Sequence, residues 1–200
     1  MPGSPFGGVG SASLPGGGGR YLTYGLDANN KPVPARHVVM IASLTFRPPN
    51  PNPAAKSRTG TVIESFQILK TDTTNHKVGA EYDRVYNLDK ILALGNTAMD
   101  LAAFRSIALQ KPVSPSELTP EMTEAAYGLR AIDETSDPEV FAAGYTTYRG
   151  MVVTAVCWNK PTQRGQDFTA CTFVTPTPQD LEGLEHLFGS ESAEGEQTAG

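Results

Sequence analysis

A mainly β fold of five strands, interrupted after the third by a helical insert, is what this sequence predicts. Three observations predict it. Period-two alternation of apolar residues recurs in five stretches, a long stretch between the third and fourth carries helical spacing instead, and glycines and prolines collect at the chain start and between the stretches. At 200 residues the chain suits one domain with appendages. Its twenty glycines and sixteen prolines put much of it in loop or tail, so the folded part is smaller than the chain.

Residues 1–20, MPGSPFGGVGSASLPGGGGR, are too rich in Gly, Ser and Pro to bury surface against the entropy of ordering and read as a flexible segment. The first strand is His37 to Phe46, HVVMIASLTF, with Val38, Met40, Ala42, Leu44 and Phe46 expected on one face. It runs into RPPNPNPAAKSRTG, where four prolines forbid a ladder and Arg47, Lys56 and Arg58 ride on a long loop. Thr61 to Leu69 resumes the alternation, with Val62, Phe66 and Ile68 together. After a turn at Thr73 to His76, the stretch Val78 to Asn87 puts Tyr82, Arg84 and Tyr86 on one face.

Leu94 to Leu109 then has apolar residues at helical spacing. Thr119-Pro120-Glu121 announces a second helix by its N-cap residue, N1 proline and first-turn acid, and Asp137-Pro138-Glu139 repeats the signal. Tyr148 to Trp158 and Phe168 to Val174 complete the strands, joined by a Lys-Pro-Thr-Gln-Arg-Gly turn. Three strands, a helix and insert at about 94–143, and two strands is the order of an OB-fold, a five-stranded Greek-key barrel, although small α+β sandwiches share it. On this reading 21–176 is the OB-fold domain, and 177–200 is an acidic C-terminal tail.

The formal charge of −5 divides unevenly. Asp180, Glu182, Glu185, Glu191, Glu194 and Glu196 lie in the tail with no Lys or Arg, which leaves the body near neutral and its bases able to cluster. No stretch approaches the roughly 20 apolar residues of a membrane span, and the first residues lack the pattern of a signal peptide, so a soluble intracellular protein is expected. Cys157 and Cys171 match no zinc spacing and read as buried thiols on alternate strand positions. His37, His76 and His186 fall into no paired motif and read as solvated, as do Asp72, Glu81 and Asp83. The early glycine run is followed by no P-loop lysine. No catalytic, metal or cofactor site is expected.

What recurs is bases interleaved with aromatics: Phe46-Arg47, Tyr82 to Tyr86 around Arg84, Tyr148-Arg149, and Trp158 beside Lys160 and Arg164. Single-strand binders use this pairing, cations tracking phosphates and aromatic faces stacking bases at roughly 1–3 kcal/mol each. The strands and loops concerned are those on which OB-folds bind oligonucleotides. The nucleic-acid contacts expected are Arg47, Lys56, Arg58, Arg84, Lys160 and Arg164 for phosphates and Tyr82, Tyr86 and Trp158 for stacking. In the tail, Leu181, Leu184, Leu187 and Phe188 stand at near-helical spacing, either as a partner-binding helix or as one docked on the domain.

The run from SFQILKTDTTNHKVGAEYDRVYNLDK through ALGNTAMDLAAFRSIAL to RGMVVTAVCWNKPTQRGQDFTACTFVTP resembles a group of tailed-bacteriophage proteins regarded as OB-fold, single-stranded-DNA-binding-like replication accessories. Phe66 to Leu69, His76 to Gly79, Ala93 to Asn96, Gly150, Pro161 to Gly165 and Asp167 to Thr169 carry it. The chain departs from the group's pattern at Tyr86-Asn87, where the group tends to carry a Trp, and in the proline-rich loop. The resemblance implies a protein that coats and protects single-stranded DNA during replication or recombination in the host cytoplasm, without strong sequence preference. Phage or host replication proteins held by the acidic tail, and further copies of the chain, are the other partners it implies. The alternative is a non-catalytic structural or replisome protein that uses barrel and tail to hold a protein partner.

Overall fold

The computed structural model describes residues 21–49, 51–52, 59–161 and 169–185. In chain order the elements are β1 (Gly25–Leu26), β2 (Pro32–Val33), β3 (Ala35–Arg47), β4 (Thr61–Thr71), β5 (Glu81–Asn87), α1 (Ile91–Leu109), a 3₁₀ turn (Pro115–Glu117), α2 (Pro120–Ala126), α3 (Pro138–Ala142), β6 (Val152–Asn159), β7 (Thr169–Val174) and α4 (Pro178–Leu181). Five strands form one antiparallel sheet in the order β5-β4-β3-β6-β7, and β1 and β2 form a separate small hairpin. The expected mainly β fold with a helical insert is present. Its sheet is laid out as an open ladder, with no β5–β7 pairing among the described residues.

The long β3 is shared by two ladders, pairing with β4 along its length and with β6 over Ala35 to Met40. Its inner face differs from the expected one. Ala35, Val39 and Ile41 enter the core, and irregularities at Val38/Val39 and Ile41/Ser43 then bring Leu44 to the same side. A bulge leaves one extra residue on one strand and shifts the parity of everything after it. Val38 is buried as well, but not in that core.

On β4 every second residue from Val62 to Ile68 is buried, as expected, with Glu64 among them. Gly60 lets the chain enter β4: its φ is +104°, and a Cβ there would stand 2.6 Å from the Phe46 ring.

The inner face packs on α1, where Leu101, Phe104 and Ala108 are buried. Phe104 lies 4.8 Å from Phe173 of β7, ring to ring, and Phe173 stacks at 5.0 Å on Phe66 of β4. The helix begins at Ile91, three residues before the expected start, and only two of its residues are charged. Both Asp100 and Arg105 are buried, whereas Ile91, Leu92, Leu94 and Met99 are exposed. No helix among the described residues is long and apolar enough to cross a membrane.

The insert is tied back to α1 by a buried ion pair. Arg105 donates from Nε and Nη2 to the two Asp137 carboxylate oxygens at 2.9 and 2.8 Å, with side chains 2% and 1% exposed. Asp137 also caps α3, accepting from the Val140 amide, and Thr119 caps α2 through the Met122 amide, as the sequence predicts.

Two of the three histidines, expected in solvent, are buried. The His37 and His76 rings lie tilted against each other, centroids 4.3 Å apart, at one end of the inner face, and His76 lies 4.9 Å from the Tyr82 ring. The Thr23 amide donates to His76 Nε2, and His37 Nε2 donates to the Thr23 carbonyl. Burial holds both rings below the ordinary histidine pKa, His76 at about 4, so both are neutral. His186 lies outside the described residues.

Candidate nucleic-acid interface

Tyr82, Arg84 and Tyr86 do share a face of β5, but that face is the inner one. Register sets them opposite Phe66, Glu64 and Val62, the buried row of β4. Tyr82 and Tyr86 are 6% and 5% exposed, which corrects the expectation that they stack bases: neither ring offers a free face. Tyr82 instead accepts the Lys77 amide at 2.8 Å through its hydroxyl. Tyr148, expected as an exposed aromatic beside Arg149, is likewise buried, against Phe104.

Arg84 is the centre of a buried polar network. Its guanidinium donates to the Tyr86 hydroxyl and stands 3.4 Å from Asp100 of α1, to which Tyr86 also donates. Burial alone opposes its charge, but Asp100 outweighs that and keeps the guanidinium protonated. Glu64, directly across the ladder, accepts from the Tyr127 hydroxyl at 2.8 Å. Burial and then the Asp100 charge push the Glu64 carboxyl well up, so it stays protonated. Arg84, Asp100 and neutral Glu64 together carry no net charge, the condition under which such a cluster can be buried. Arg84 therefore binds the helix to the sheet, which corrects its expected role as a phosphate contact.

The surface set is smaller. Arg47, Trp158 and Lys160 are exposed, Trp158 at 37%. They do not sit side by side: Cys157 pairs with Ala35 at the start of β3, so the Trp158–Lys160 corner is at one end of that strand and Arg47 at the other. Thirteen residues of strand separate them, roughly 40 Å along its course at strand rise. Lys56, Arg58 and Arg164 lie outside the described residues.

The start of the acidic tail is part of the fold. An outer-face row runs Lys70, Val38, Thr154, Val174 across β4, β3, β6 and β7, and the segment Thr177 to Leu184 is fastened to it. Asp180 pairs with Arg36 at 2.8 Å and accepts from Thr154 at 3.1 Å, while Lys70 donates to the carbonyls of Gln179 and Glu182. Val38 and Thr154 are buried in that row, and Leu184 is 8% exposed. Of the residues expected to hold a partner, Leu184 is thus docked on its own domain, Leu181 is half-buried, and Leu187 and Phe188 lie outside the described residues. The helix there is α4, four residues long.

Sequence reading missed Arg36, Lys70, Glu64 and Asp100 as structural charges. Only Glu64 left a signal, an acid in phase with Val62, Phe66 and Ile68. Among the described residues no group of three or more His, Cys, Asp and Glu is placed to hold a metal ion. Comparison with family models, curated proteins and solved structures finds no match to the chain.

Proposed function

We propose that the protein binds single-stranded DNA as an OB-type barrel, without strong sequence preference. The observation that carries the reading is the exposed cation and indole at the two ends of the strand that both ladders share, Arg47 at one and Trp158 with Lys160 at the other. The loops leaving these ends contain Lys56, Arg58 and Arg164. Loops in those positions are the ones with which OB-folds grip oligonucleotides.

The barrel is supported by the strand order. A Greek-key OB barrel opened between its third and fifth strands reads third, second, first, fourth, fifth, and that is the order β5-β4-β3-β6-β7. The two end strands also meet through side chains, Arg84 of β5 lying over Phe173 of β7.

Trp158 is the chain's one tryptophan, so its fluorescence reports directly on the site. Titration with oligo-dT at two salt concentrations is expected to quench it, with affinity falling as salt rises because phosphate contacts release counterions. Absence of quenching, or an affinity indifferent to salt, overturns the reading.

A further inference from the structure

The β6–β7 ladder sets Cys157 directly opposite Cys171. Opposed residues on antiparallel strands project to the same face with Cα atoms about 4.5–5.5 Å apart, inside the span of about 4.4–6.8 Å that a disulfide bridges. Both thiols are free, and each shifts the other's ionisation.

Their surroundings differ. Cys157 is fully buried, and its interaction with Cys171, followed by burial, pushes its thiol up. Cys171 is half-buried. Burial would raise it too, but the interaction with Cys157 and the Arg84 charge outweigh that and hold it below the ordinary thiol value. Arg84 Nη1 is buried with no hydrogen-bond partner. One sulfur is therefore suited to attack and the other to remain a protonated neighbour within reach.

We propose that Cys171 and Cys157 are a redox-active dithiol that a hydroperoxide closes to a cross-strand disulfide. The Cys171 thiolate attacks a peroxide oxygen and the O–O bond breaks. Cys171 becomes a sulfenic acid, and the departing hydroxide takes up the proton that the thiol released. The Cys157 sulfur then attacks the Cys171 sulfur, the S–O bond breaks, and the leaving hydroxyl departs as water with the Cys157 proton. Two thiols are oxidised by two electrons, and hydrogen peroxide is reduced to two waters. The inference does not depend on DNA binding.

The test treats the full chain with a small excess of hydrogen peroxide, alkylates remaining thiols under denaturing conditions and reads the intact mass. The expected product is a monomer two hydrogens lighter, with neither thiol alkylated and both recovered by dithiothreitol. In the untreated chain, iodoacetamide at neutral pH is expected to label Cys171 about ten times faster than Cys157. Cys157→Ser should hold Cys171 as a sulfenic acid that dimedone captures. The proposal is overturned if both thiols remain alkylatable at that dose, if a disulfide forms only between chains, or if Cys157 is labelled first.

Discussion

The guanidinium carbon of Arg84 lies 5.4 Å from the centre of the Phe173 ring, joining the two outermost strands of the ladder by side chains. The same guanidinium neutralises Asp100 on the helix that packs across both strands. Removing it leaves a carboxylate buried without its cation, an effect far larger than loss of a surface charge.

Arg84→Met is therefore expected to destabilise the protein by about 3–5 kcal/mol, read as a lowered denaturant midpoint. Adding Asp100→Asn to that variant should recover part of the loss. Lower DNA affinity at unchanged stability would instead return Arg84 to the surface.

The contribution of the buried histidines to stability should fall on mild acidification, while the raised Glu64 carboxyl acts in the opposite direction. The unfolded chain protonates His76 near 6.5, whereas the folded chain holds it neutral until about pH 4. The unfolded state binds more protons between those values, so the contribution is complete above pH 6.5 and declines as pH drops toward 4, by up to about 3 kcal/mol. His37, also depressed, acts in the same direction. Denaturant titrations at stepped pH should show the parent losing more stability than His76→Gln as pH falls from 6.5 toward 4.

The ion pair between α1 and α3 predicts a graded series. Asp137→Ala removes both oxygens that face Arg105 and the cap on the Val140 amide, and is expected to cost about 3–5 kcal/mol. Asp137→Asn keeps an oxygen for the cap and should fall between it and the parent in thermal unfolding.

Surface and core residues should separate in DNA binding. Arg47→Ala and Lys160→Ala are each expected to weaken oligo-dT binding and to lower the salt slope by about 1, with stability within about 0.5 kcal/mol of the parent. Tyr82→Phe should leave affinity unchanged and lose about 1 kcal/mol of stability with the Lys77 hydrogen bond. A fall in affinity for Tyr82→Phe equal to that for Lys160→Ala would contradict the assignment.

Two tail truncations should behave differently. Deleting residues 177–200 removes Asp180 from Arg36 and uncovers the seat of Leu184, and is expected to lower the melting temperature. Deleting 186–200 leaves those contacts in place while removing Glu191, Glu194 and Glu196, and should tighten DNA binding by removing a competing polyanion.

The five strands and the helical insert were legible because each is written in local period, and the caps at Thr119 and Asp137 because capping acts over three residues. The inner face of β3 was not, since Val38, Val39, Met40 and Ile41 are apolar at both parities and a bulge leaves no mark of its own. Tyr82, Arg84 and Tyr86 were grouped correctly, yet alternation says which residues share a face and not which face is covered. The buried charges stayed hidden for another reason. Glu64, Arg84 and Asp100 meet only through the ladder and the helix crossing, and Arg105 finds Asp137 32 residues away.

The inward charges of α1 bear on how this chain can be recombined. Asp100 answers to Arg84 on a strand, and Arg105 to Asp137 in the insert. The helix is thus no module to be exchanged by itself, since a chimera given a foreign α1 strands one cation and one anion in its interior. Residues 84, 100, 105 and 137 have to be inherited as a set, and the solvent side of the helix, without charge from Ile91 to Leu109, can diverge around them.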